Sequence, residues 1–194
     1  MDLFYNNLST KAQLSKLKKE IGNRIYGNNI PNNFKIIDGN IEHINNNVLI
    51  LMEYVSLKGF MKAPWESYLT KLCNHYKINN KFISYSYLIP TKVANRNDII
   101  NGRSYIELII SIIRPNLIVC IGENTVLSFL NRKKLLHNFH GQVVEKYENI
   151  PIIITYPMGY YLQYGRPDEK YYRQSILKND WDIINSYYKN LIKE

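Results

Sequence analysis

The chain has 194 residues, 45% of them hydrophobic and 21% charged, values near the average for globular chains that exclude wholesale disorder despite many asparagines. That length suits one domain with a sizeable core, read as spanning 1–194. Twenty-five Lys and Arg against sixteen Asp and Glu give a formal charge of +9. Polyanion binding is the usual use of such an excess, and AT-rich codon usage, which raises Lys, Asn, Ile and Tyr together, is its bland source.

The predicted elements follow in chain order. From Ser9 to Arg24, Leu14, Leu17 and Ile21 keep helical spacing behind a possible N-cap at Ser9 or Thr10. Gly27 to Asn33 reads as loop and Asn45-Asn46-Asn47 as a turn. Val48 to Met52 is a continuous apolar run of the kind that forms a strand buried on both faces. Pro64 to Asn74 reads as a helix, with Trp65, Tyr68, Leu69 and Leu72 on one face and a proline at its start. Phe82 to Ile89 is strand-like, Pro90 to Gly102 reads as a loop containing Asn95-Arg96-Asn97-Asp98, and Ser104 to Ile113 reads as a helix broken by Arg114-Pro115. Asn116 to Ile121 is a second buried strand ending at Gly122, with a helix from Thr125 to Leu130 behind it. A strand at Pro151 to Tyr156, an aromatic loop and a helix from about Arg173 to Ile192 complete the series.

Strands alternating with helices predict an α/β fold, a three-layer α/β/α domain around a central, mainly parallel, four-stranded sheet. Such sheets carry their functional loops beyond the carboxyl ends of the strands. That rule selects Glu53 to Phe60, Pro90 to Asp98, Gly122 to Thr125 and Pro157 to Arg166.

Both long apolar runs are far below the roughly 20 residues that span a bilayer. No basic segment followed by an apolar stretch opens the chain, so the reading is of an intracellular, non-secreted protein without a membrane partner. Cys73 and Cys120 fall in a helix pattern and a buried-strand pattern, which favours reduced core thiols over a disulfide. His43, His75, His137 and His140 show no metal-ligand spacing, and no metal or other cofactor is expected. Phosphate-loop, zincin and nucleophile-elbow signatures are missing, and Gly122-Glu123-Asn124-Thr125 reads as a plain strand-to-helix turn.

Several segments, in order, resemble the family 4 branch of the uracil-DNA glycosylases. Val48 to Met52 followed by Glu53-Tyr54-Val55-Ser56 is similar to that family's first motif, of which only the Glu is kept. Gly59-Phe60 and the helix after it resemble the Pro-Phe pair that opens a pocket helix. Phe82 to Tyr87 and Asn95-Arg96-Asn97-Asp98 are similar to a strand ending in Asn and its following loop, with Ser86 where the base-reading Asn sits. Arg114-Pro115, the strand to Ile121, Gly122 and the next helix form the best-preserved piece. His140-Gly141 looks like an Arg-Gly pair, Thr155-Tyr156-Pro157 like a Thr-Tyr-His motif with Pro157 for the His, and Asp180-Trp181 like the closing-helix signature. The family's cluster-binding cysteines have no counterparts, so no iron–sulfur cluster is expected.

The resemblance implies a domain that flips a nucleotide out of DNA, stacks its base and reads its edge. Glu53 becomes the candidate catalytic carboxylate, positioning water and opposing the sugar's charge, or else a strand-end cap. Phe60, Tyr54 and Ser86 form the candidate base pocket, Phe60 being equally readable as core. Lys92, Asn95, Arg96, His140 and Arg166 are candidate DNA contacts, with Met158, Tyr160, Tyr161 and Leu162 offering a wedge. Pro157 cannot supply the proton donor that the family's His offers a departing base. Two readings stand: a glycosylase acting on uracil or another altered base in duplex or single-stranded DNA, or a silent DNA-binding accessory protein, with a protein partner, for replication or packaging; a third is a protein-interaction module with no nucleic-acid role.

Overall fold

The computed structural model of the chain describes residues 9–26, 28, 38–39, 48–52, 64–78, 80–84, 96–130, 135–162 and 165–191. The first helix, α1 (Thr10–Tyr26), begins where expected: Ser9 Oγ accepts the Ala12 N–H at 3.4 Å, and its carbonyl accepts that of Gln13 at 2.9 Å. This satisfies donors that the first turn leaves open. Leu14, Leu17 and Ile21 are its buried stripe.

The described strands are β1 (Asp38–Gly39), β2 (Val48–Met52), β3 (Asn80–Ser84), β4 (Leu117–Ile121), β5 (Val143–Tyr147) and β6 (Ile150–Thr155). They form one six-stranded sheet in the order β1-β3-β2-β4-β6-β5. The four inner strands pair in parallel, with Val48 opposite both Asn80 and Leu117, and Ile118 opposite Ile152. Both edges are antiparallel, β1 on β3 and β5 on β6. The sheet is therefore mixed, which corrects the four-stranded, mainly parallel expectation. Strand β5 escaped prediction because an edge strand with one wet side buries little: Glu145 and Lys146 are exposed, and no apolar run or alternation marks it. Its hairpin turn, Glu148-Asn149, has φ of 48° and 74°, both positive as in a type I′ turn, without the Asn-Gly or Asp-Gly pair that usually announces one.

The continuous apolar runs have a direct cause. Successive strand residues point to opposite faces, and both faces carry an apolar core. Leu49, Leu51, Ile118, Cys120, Ile152 and Ile154 share one core with α1, α3 (Arg96–Ile113), α4 (Glu123–Leu130) and α5 (Leu135–Phe139). Val48, Ile50, Met52, Leu117, Val119, Ile121 and Ile153 share the other with α2 (Pro64–His75), α6 (Met158–Leu162) and α7 (Pro167–Leu191).

Several boundaries differ from expectation. Helix α3 begins at Arg96, so Arg96-Asn97-Asp98 is helical rather than loop. An internal Gly102 costs about 1 kcal/mol relative to Ala, and the stripe of Ile106, Ile109, Ile110 and Ile113 that α3 buries outweighs it. The aromatic loop after β6 contains the one-turn helix α6, and α7 starts at Pro167, where proline and the first-turn Asp168 and Glu169 both suit a helix N-terminus. Elsewhere the expected breaks hold: Arg114 ends α3 with φ 49°, and Gly122, at φ 93°, turns β4 into α4 by accepting the Val126 N–H. Cys73 and Cys120 are buried free thiols, and burial pushes the Cys73 thiol up to about 12 and that of Cys120 up as well. Among the described residues no helix is long and apolar enough to cross a membrane.

Candidate functional site

Strand β6 ends at Thr155, beside the carboxyl end of β4, where the Gly122 N–H donates to the Thr155 carbonyl at 3.0 Å. Around this point lies a buried polar cluster centred on Asp180 of α7. Asp180 is fully buried on a stripe otherwise made of Leu177, Trp181, Ile184 and Tyr188. A carboxylate there must be met by donors, and three polar side chains surround it. Thr155 Oγ1 donates to Oδ2 at 2.8 Å, the Tyr161 hydroxyl reaches the same oxygen at 3.1 Å, and His140 Nδ1 lies 2.7 Å from Oδ1.

Proton counting orders the network. Thr155 Oγ1 and the Tyr161 hydroxyl are also 2.8 Å apart, so two hydroxyl protons serve three close contacts. Tyr161 donating to Thr155, and Thr155 to Asp180, uses both protons at the shorter distances. Because a carboxylate only accepts, the His140 proton belongs on Nδ1, and in the neutral ring Nε2 then carries the free lone pair. Burial, reinforced by the neighbouring Asp180 charge, pushes the Tyr161 phenol up, so it remains a donor.

Gly141 makes this approach possible. Its φ is +71°, its N–H bonds the Ile154 carbonyl at 2.8 Å, and a Cβ there would sit 2.6 Å from Asp180 Oδ1 and 3.3 Å from the Asp180 backbone. Outward from the cluster the His140 ring lies 5.0 Å from that of Tyr156, and Tyr156 stacks on Tyr160 at 4.2 Å and 19°. Arg173 covers the Tyr160 ring at 4.5 Å and donates to the Tyr160 carbonyl at 3.0 Å and to Glu169 at 3.1 Å. Burial, with Tyr160 and Asp180 nearby, raises the Tyr156 phenol. On the same helix Tyr171 and Tyr172 are 75% and 65% exposed.

Chemically, the cluster holds one imidazole in a fixed tautomer and orientation, at the end of a rigid sheet, with an aromatic column beside it. Among the described residues no group of three or more His, Cys, Asp or Glu side chains is placed to hold a metal ion.

The sequence-derived candidates divide three ways. Glu53, Tyr54, Phe60, Ser86, Lys92 and Asn95 lie outside the described residues, and Arg96 is known only as the first residue of α3. His140, Tyr160 and Tyr161 come together around Asp180, and Arg166 is exposed, paired with Glu169 at 3.4 Å. The wedge assignment of Met158 and Tyr161 is corrected: they are 4% and 0% exposed, anchored in the core, and cannot enter a DNA stack without dismantling α6. Tyr160 and Leu162 are only partly buried. Thr155, Asp180 and Arg173 were not singled out as site residues. The available signal was Asp180 itself, an acid in phase with an apolar helix stripe.

No protein-family model matches the chain, and no curated protein matches its sequence.

Proposed function

We propose that this chain is a DNA-binding protein on the uracil-DNA glycosylase plan, a three-layer α/β/α domain that keeps DNA binding while excision of uracil or another altered base is weak or lost. One observation carries the reading. Three segments singled out by resemblance, His140-Gly141, Thr155-Tyr156 and Asp180-Trp181, meet in one cluster, with His140 and Thr155 both on Asp180 at 2.7 and 2.8 Å. Segments 25 and 40 residues apart have no local reason to converge.

The +9 charge supports a polyanion partner, and the partly exposed Tyr160 with the exposed Tyr171, Tyr172 and Arg166 suits a strand of nucleic acid, since rings stack bases and guanidinium groups meet phosphates. The binding form is favoured over the catalytic one because exposed Pro157, in the family's His position, has neither an N–H nor a side-chain donor for a departing base anion. Glu53 remains the carboxylate on which residual excision depends. A DNA substrate places the protein inside the cell.

The test is anisotropy of labelled single- and double-stranded oligonucleotides across a salt series, beside excision assays on uracil, hypoxanthine and modified pyrimidines. Each duplex phosphate neutralised contributes about −0.9 to the slope of log K against log salt. Affinity independent of salt refutes the DNA reading. Brisk uracil excision that survives Glu53→Gln refutes the assigned chemistry.

A further inference from the structure

Away from the Asp180 cluster, α2 and α7 enclose a groove of about 480 Å³, within the range of small-molecule sites. Leu72, Leu177 and the rings of Tyr68 and Tyr76 give it apolar and aromatic walls. Tyr76 is held on three sides. Its hydroxyl donates to Asp182 Oδ1 at 2.8 Å, its ring stacks on Trp181 at 6.5 Å and 20°, and His75 meets it edge-on at 4.9 Å. That ring face is therefore fixed before any ligand arrives, which spares the entropy of ordering it.

The rim is basic. Lys71 and Lys178 line it with His75 and Gln174, and no carboxylate is among the described residues that line it. Lys178 is bound to Asp182 at 2.5 Å, whereas Lys71 is exposed and has no ion-pair partner among the described residues. Flat walls beneath a positive rim fit one ligand chemistry: a ring to lie on Tyr76 and Leu72, with an anionic group reaching Lys71. We infer that this groove is a binding site for a small, flat aromatic anion, independent of any role in DNA binding.

The probe is 8-anilinonaphthalene-1-sulfonate, titrated against the full chain by fluorescence, with N-phenyl-1-naphthylamine as the same ring system without the sulfonate. Saturable one-to-one binding is expected with Kd on the order of 10–100 μM, given ordinary ligand efficiency. The neutral dye should bind about two- to fivefold more weakly, the difference one exposed ion pair makes. Lys71→Glu replaces attraction by repulsion and should weaken the sulfonate dye about tenfold. Gln174→Trp should fill the groove and abolish the site, while Lys189→Glu, an exposed charge elsewhere on α7, should change nothing. Positions 71 and 174 are both exposed, on different helices, so if one variant loses its circular-dichroism melt the other decides. Displacement of dye by 5′-AMP identifies a nucleotide as the natural chemistry, and displacement by indole-3-acetate alone an aryl acid. Equal binding of both dyes, dye binding unchanged in a folded Lys71→Glu or Gln174→Trp variant, or dye that neither competitor displaces at millimolar concentration overturns the inference.

Discussion

Replacing Asp180 separates a structural network from a bystander. In Asp180→Ala the Thr155 and Tyr161 hydroxyls, 2.8 Å apart, can still satisfy each other once, leaving one buried hydroxyl proton without an acceptor. That orphan costs about 1–3 kcal/mol, and losing a charge-assisted bond costs about 1.5–3 kcal/mol. His140, whose side chain is 25% exposed, recovers a partner from water, so its loss adds little. Together they amount to about 2.5–6 kcal/mol. Asp180→Asn behaves differently: with its oxygen toward Thr155 it still accepts that hydroxyl's proton, and its amide donates to His140 Nδ1 once the ring takes its other neutral tautomer. Only the charge assistance is lost, about 1–2 kcal/mol. With a urea m-value of roughly 2 kcal/mol/M, the midpoint should fall by about 1.2–3 M for Ala and by about 0.5–1 M for Asn. Equilibrium unfolding followed by circular dichroism reads both. If the two variants lose equal stability, or if Ala loses less than about 1 kcal/mol, the network as drawn is wrong.

Gly141→Ala combines a positive φ with a 2.6 Å approach to Asp180 Oδ1, so it should destabilise by at least about 2 kcal/mol, against a few tenths for an Ala at the open Gly165; thermal melts compare them. Both thiols should resist aromatic-disulfide labelling at pH 8 in the native state and react at once in guanidinium, because burial raises Cys73 to about 12 and Cys120 as well; rapid native labelling would contradict their core positions. Hydrogen bonds from Lys178 and Tyr76 hold the Asp182 carboxyl below the usual carboxylate range. A depressed folded pKa contributes stability above the unfolded value of about 4 and loses it as pH falls through the folded one. Tyr76→Phe should therefore lower the urea midpoint more at pH 7 than at pH 3, and a difference that stays constant with pH would remove Asp182 from the explanation.

How much could be read from the chain alone follows the range of the forces involved. The inner strands Val48–Met52 and Leu117–Ile121 were legible to within a residue, because a strand covered on both faces must be apolar at every position. Helix α1 was legible because its cap and its stripe are both local, Ser9 binding Ala12 and Gln13. Strand β5 was not, since its identity lies in pairing with β6 rather than in its own pattern, and its turn reaches positive φ with Glu and Asn. The wedge failed for a related reason: an aromatic-rich segment reads the same whether its rings face solvent or core, and packing against β6 and α7 sent Met158 and Tyr161 inward while leaving Tyr160 half covered. Asp180 marks the boundary between the two kinds of knowledge. Its place in an apolar stripe could be seen in the sequence, which requires that donors exist. That they are Thr155, backed by Tyr161, and His140, up to 40 residues away, depends on a glycine small enough at 141 and on how α7 lies across the end of β6, and only the tertiary structure decides that.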